Sequence, residues 1–149
     1  MSPVKLNQSE TLELYSALTD SALTIPMASN KISAGFPSPA EDFIDTGIDL
    51  NQFLIKHSAS TFFGRVKGDS MINVGISDGD LLIIDKSLDP KNGKIAVCFI
   101  DGEFTVKRIQ IEQDKCYLMP ENDAYKPIPV TSENNFLIWG IVTHVIKSF

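Results

Sequence analysis

From Ser60 onward the chain breaks into seven short runs, "STFFGRVKG", "DLLIID", "GKIAVCFID", "EFTVKRIQIE", "KCYLMPE", "KPIPVT" and "FLIWGIVTHVIK", rich in β-branched and aromatic residues and separated by turn-forming ones. Side chains of that type suit a pleated, half-buried surface, and the spacing leaves no room for helices between them. A mostly-β domain is expected. Asp101-Gly102, between two such runs, is a two-residue hairpin signal with Ile100 and Glu103 at its flanks. No internal repeat or low-complexity tract interrupts the pattern.

The first 40 residues read differently. Leu12, Leu14, Tyr15 and Leu18 offer a modest apolar face if residues 8–19 form a short amphipathic helix, which alone would be marginal. Pro26, Pro37 and Pro39 then stand among small residues, which argues against regular structure and for an exposed connector. The expected organisation is a flexible N-terminal arm over 1–40 and a β domain over 41–149. Within the latter, "IDLNQFLIK" places Ile48, Leu50, Phe53 and Leu54 near helical spacing behind Asp49, predicting a short helix over 48–56.

At 149 residues, one core is what such a chain can bury. Its formal net charge is −6 and its basic residues form no stripe, which excludes a domain that grips nucleic acid by itself. No apolar run is long enough to cross a bilayer, and the start "MSPVKLNQSETLELYSALTD" lacks a secretory apolar stretch, so a soluble cytoplasmic protein is expected. Cys98 and Cys116 lie in strand-like contexts without CxxC spacing and read as buried reduced thiols. His57 and His144 are isolated, with no partners at metal-ligand spacing, so neither a metal nor another cofactor is expected.

The stretch "VKGDSMINVGISDGDLLIID" sets Ser70 in a Gly- and Asp-rich turn between two segments suited to burial. Ser70 can simply cap a helical turn at "SMIN". It can instead be a nucleophile, which requires a base, and no histidine lies in a context that supplies one. Lys107, inside "EFTVKRIQI", shares the parity of Thr105, Ile109 and Ile111. If that face is buried, desolvation disfavours the ammonium and yields the neutral amine a base needs; if it is not, the side chain snorkels to water.

Read together, "GFPSPAEDFIDTGIDLNQFLIKHSAS", "GDSMINVGISDGDLLIID", "DGEFTVKRIQ", "MPENDAYKPI" and "WGIVTHVIK" resemble the LexA/UmuD family of self-cleaving serine-lysine peptidases, almost continuously over 35–149. The resemblance implies a β domain like that of LexA and the signal peptidases. It implies Ser70 as nucleophile, Lys107 as general base, and Ala34-Gly35 as the bond the protein cuts in itself, where relatives carry Cys-Gly or Ala-Gly. A turn exposing N–H groups around Ser70 suggests the Asp69 and Ser70 amides as oxyanion donors. By resemblance to the UmuD branch, cleavage is stimulated by a RecA filament on single-stranded DNA. The product joins a UmuC-type catalytic subunit of a translesion polymerase, as a homodimer. A LexA-type or phage-type repressor shares the peptidase domain but needs an N-terminal basic module of several helices, for which the arm has neither the room nor the charge. A membrane signal peptidase needs an anchor.

Overall fold

The computed structural model describes residues 5–8, 12–18, 24–28 and 44–149. In chain order these form β1 (Lys5–Gln8), β2 (Leu12–Ser16), β3 (Thr24–Ala28), β4 (Ile44–Asp49), α1 (Leu50–Leu54), β5 (Thr61–Val66), β6 (Leu81–Asp85), β7 (Ile95–Ile100), β8 (Glu103–Glu112), β9 (Lys115–Met119), β10 (Ile128–Val130) and β11 (Phe136–Ile146). The seven runs from Ser60 onward are β5 to β11. The chain divides into two units, 1–18 with 57–149, and 19–56.

The first unit is one antiparallel sheet in the order β1-β2-β5-β6-β11-β7-β8-β9-β10. The Asp101-Gly102 signal works as read: φ is 49° at Asp101 and 88° at Gly102, the left-handed pair a two-residue turn needs, and Ile100 pairs with Glu103. The long last strand, β11, joins the halves of the sheet. Its first part pairs with β7 and its second with β6, and register shifts after Ile138 and after Val142 bend it between the two. Ala96, Val97 and Cys98, successive residues of β7, are all fully buried, so both faces of the sheet are covered there. Leu12, Leu14, Val66, Met71, Leu82, Ile84, Val97 and Val106 gather in one cluster; Ala96, Cys98, Ile109, Leu118 and Ile141 form another.

Gly140 sits where β11 bends over β6. A Cβ there would stand 2.6 Å from Ile84 Cγ2, closer than any methyl tolerates. Gly140→Ala should therefore destabilise the fold by about 1–3 kcal/mol through overpacking, read as a lower urea midpoint. A midpoint equal to wild type would show that β11 and β6 are not packed this closely.

Two expectations for the N-terminal region need correction. Residues 12–16 are a strand, β2, inserted between β1 and β5, instead of part of a helix over 8–19. Leu12 and Leu14 alternate inward while Glu13, between them, meets Lys5 and Lys67 at 3.2 and 2.9 Å, which is period two and not 3.6. The arm expected over 1–40 is therefore not one arm, since β1 and β2 belong to the sheet.

In the second unit, β3 pairs with β4 even though it contains Pro26. The pairing passes from Ile25↔Ile48 to Met27↔Asp45, a register shift at the residue that has no N–H to donate. The expected short helix is present as α1, where the Asp49 carboxylate accepts from the Asn51 N–H at 3.0 Å.

Candidate active site

Ser70 lies in the turn that follows β5. The chain leaves Val66 through Gly68, whose φ of +88° favours glycine and whose N–H donates to the Asp78 carboxylate at 2.7 Å. Met71, the next residue after Ser70, is buried in the core and anchors the turn from below. A 3₁₀ turn follows over Ile72–Val74, with Met71 at its cap position and no side-chain capping bond. The capping alternative for Ser70 therefore does not hold. Its hydroxyl oxygen stands 3.1 Å from Lys107 Nζ.

Lys107 is only 6% exposed, so strand parity located its face correctly. Ile111, of the same parity, is 44% exposed near the end of β8, because parity names a face and not a depth. Nζ also lies 3.0 Å from Thr105 Oγ1 and 3.0 Å from the Val106 carbonyl oxygen. No carboxylate pairs with it among the described residues. Burial therefore holds its pKa below the usual lysine value, with the nearby Cys98 opposing weakly.

Those three oxygens suit both protonation states. A neutral amine donates two N–H groups, to Thr105 Oγ1 and Val106 O, and accepts the Ser70 hydroxyl proton on its lone pair. An ammonium donates to all three. The site can thus take the serine's proton and keep it bound. That is the requirement for a lysine acting without histidine or aspartate.

Sequence reasoning missed the loop that holds the serine's turn. The Glu121 N–H donates to Ser70 O at 2.8 Å, and the Asn73 N–H donates to Glu121 O at 2.8 Å. Asn122 Nδ2 donates to Asp69 O at 2.9 Å, and the Tyr125 hydroxyl to the Asp69 carboxylate at 2.6 Å. Glu121 also accepts from Arg108, the residue after Lys107, which ties the loop to β8. The only signal for this was "MPENDAY", a stretch in which no periodicity speaks. The Ser70 N–H takes no hydrogen-bond partner among the described residues, nor does that of Asp69.

His57, read as isolated, is paired. Its Nδ1 meets the buried Asp85 carboxylate at 2.6 Å, and Asp85 also accepts from the Ser87 hydroxyl at 2.6 Å, the Ser87 N–H at 2.8 Å and the Ser60 hydroxyl at 2.9 Å. Burial pushes this carboxyl's pKa up, but the four donors outweigh it and hold the pKa at about 2. No hydrogen bond joins this group to Ser70 or Lys107. Cys98 and Cys116 are free, the first buried and the second half-buried; burial pushes the Cys98 thiol up to about 12, with Cys116 adding to the rise. Among the described residues no three His, Cys, Asp or Glu side chains cluster as a metal site would require, and no helix is long and apolar enough to cross a membrane. Ala34 and Gly35 lie outside the described residues.

A family model described as peptidase S24-like matches residues 26–143. Protein SamA of Salmonella typhimurium is 42% identical over 123 residues, covering 83% of this chain and 85% of SamA. Protein ImpA of Escherichia coli is 41% identical over 127 residues, 85% of this chain and 86% of ImpA. Protein MucA of Escherichia coli is 41% identical over 122 residues, 81% and 83% of the respective chains.

Proposed function

The chain belongs to the peptidase S24-like family and is a self-cleaving, UmuD-like protein of the SOS response; from that premise we propose that Ser70 and Lys107 carry out the cleavage and that Ala34-Gly35 is the bond cut. The observation that supports the reading is a buried lysine amine without a carboxylate, 3.1 Å from a serine hydroxyl in a turn. Ser70 Oγ attacks the Ala34 carbonyl carbon as its proton passes to Lys107. The tetrahedral intermediate then collapses, the C–N bond to Gly35 breaks, and Lys107 returns the proton to the leaving amine. Water, deprotonated by the same lysine, releases Ala34 from the serine ester.

Chain connectivity favours this substrate. A tethered segment has a high effective concentration, so the site needs no broad affinity for other peptides. Gly35 presents no side chain against attack, and Ala34 suits a shallow pocket. In this reading the protein acts in the cytoplasm, with a RecA filament on single-stranded DNA favouring the cleavage-competent arrangement by binding it better than the resting one. The product from Gly35 onward joins a UmuC-type polymerase subunit as a homodimer. A net charge of −6 without a basic stripe fits a protein that meets DNA only through these partners.

The test is to incubate the pure chain with RecA, a nucleotide and single-stranded DNA, and to measure product masses. One cut should appear, giving a fragment that begins Gly35-Phe36-Pro37. Gly35→Glu should block it with no change in the folded β domain. A major cut elsewhere would overturn the assignment of the bond.

A further inference from the structure

We propose that Asn122 is a positioning residue for the cleavage, holding the peptide between Asp69 and Ser70 so that the Ser70 N–H faces the oxyanion. The inference rests on the reading of Ser70 as nucleophile. A trans peptide is planar, with its C=O and N–H pointing in opposite directions. The Asp69 carbonyl oxygen is held by Asn122 Nδ2 at 2.9 Å and by the Ile72 N–H at 3.2 Å. The Ser70 N–H, on the other end of the same peptide, must then point away from both. It has no hydrogen-bond partner among the described residues, as a donor kept for a transient charge should not.

Asn122 suits this role because both ends of its amide are engaged. Oδ1 accepts from the Ala124 N–H at 2.9 Å, which shapes its own loop, while Nδ2 reaches across to Asp69. A carbonyl needs a donor and an N–H needs an acceptor, so the amide has one satisfactory orientation. The Glu121 N–H and the Tyr125 hydroxyl grip the same turn at Ser70 O and the Asp69 carboxylate, but neither touches the Asp69 carbonyl. Of the two amides named from the sequence, Ser70's is therefore the one whose direction the loop sets.

Two variants separate positioning from loop shape. Asn122→Asp keeps an acceptor for the Ala124 N–H and loses the donor to Asp69; Asn122→Ala loses both without adding charge. Full-length protein would be followed in two assays. One is self-cleavage without RecA across alkaline pH. The other is labelling by a fluorophosphonate, in which the Ser70 Oγ–P bond forms, fluoride leaves, and the serine proton passes to Lys107; its phosphoryl oxygen needs the same N–H.

Both variants should slow both reactions at least about tenfold at the pH plateau, against about 10²–10³ for outright loss of an oxyanion donor. The pH midpoint of Asn122→Ala should stay at the wild-type value, because Lys107 is untouched. Wild-type rates in Asn122→Asp would overturn the proposal, as would a loss in Asn122→Ala accounted for by a moved midpoint. A wild-type Ser70 that the probe never labels overturns it too. If the probe labels wild type and the variants slow it, yet wild type never cuts itself, the positioning role stands and the self-cleavage assignment fails.

Discussion

Lys107→Arg should abolish self-cleavage at every accessible pH, although it keeps the positive charge and much of the side-chain length. Arginine stays protonated and has no lone pair to receive the serine's proton, so the substitution separates a base from an electrostatic anchor. Ser70→Ala should be equally inactive, having no nucleophile. In the wild type, the rate without RecA should rise about tenfold per pH unit as the neutral amine becomes more abundant, then level off at a pH below the ordinary lysine pKa, because burial lowers that of Lys107.

Arginine is bulkier than lysine in a site this enclosed, so Lys107→Met provides a control of similar volume. It should be inactive and, near neutral pH, more stable than wild type. The sign follows from linkage: the folded pKa is depressed, so between it and the unfolded value the unfolded chain binds more protons, and stability rises with pH. The advantage of Lys107→Met should shrink as pH climbs towards the unfolded lysine pKa of about 10.4. Near-normal cleavage by folded Lys107→Arg or Lys107→Met would refute the serine-lysine mechanism.

Leu12→Ala should cost about 2–5 kcal/mol of unfolding free energy, the range for deleting a buried leucine side chain from a packed core. Leu12 is fully buried with Leu82 and Ile84, although an exposed arm was the expectation for this part of the sequence. Leu6→Ala is the matched control: Leu6 is 49% exposed on β1, and its loss should change stability by no more than about 0.5 kcal/mol. Urea midpoints of the uncut chains give both values. A Leu12→Ala midpoint as close to wild type as that of Leu6→Ala would mean that β2 does not belong to the sheet.

The contrast between β2 and β8 shows what was legible. In β8, ten residues of unbroken β character follow a two-residue turn, so partner, register and the Lys107 face all follow from local chemistry. In β2, five residues carry two inward leucines, and Tyr15 and Leu18 happen to complete a helical spacing that the structure does not use. What makes Leu12–Ser16 a strand is its pairing with Phe62–Val66, far along the chain, and no local pattern announces a partner that distant. The site divides the same way. Ser70 and Lys107 could be named from turn residues and parity, with the family resemblance joining them. The grip of Glu121 and Asn122 on the serine's turn uses backbone atoms, which every residue carries alike. Ala34-Gly35 came from the resemblance alone.

The place of β2 gives cleavage a further meaning. A cut after Ala34 puts β1 and β2 on the short fragment, and the central strands on the long one. What was a covalent part of the sheet becomes a ligand held by one ladder of hydrogen bonds with β5 and by the sockets of two leucines. Such a ligand stays when the fragments are concentrated and leaves when they are diluted. Its departure opens the edge of β5 and uncovers Val66 and Met71, the two buried residues that flank the serine's turn. The protein would then dismantle the footing of its own nucleophile with the first bond it breaks, a reagent used once and not an enzyme that turns over.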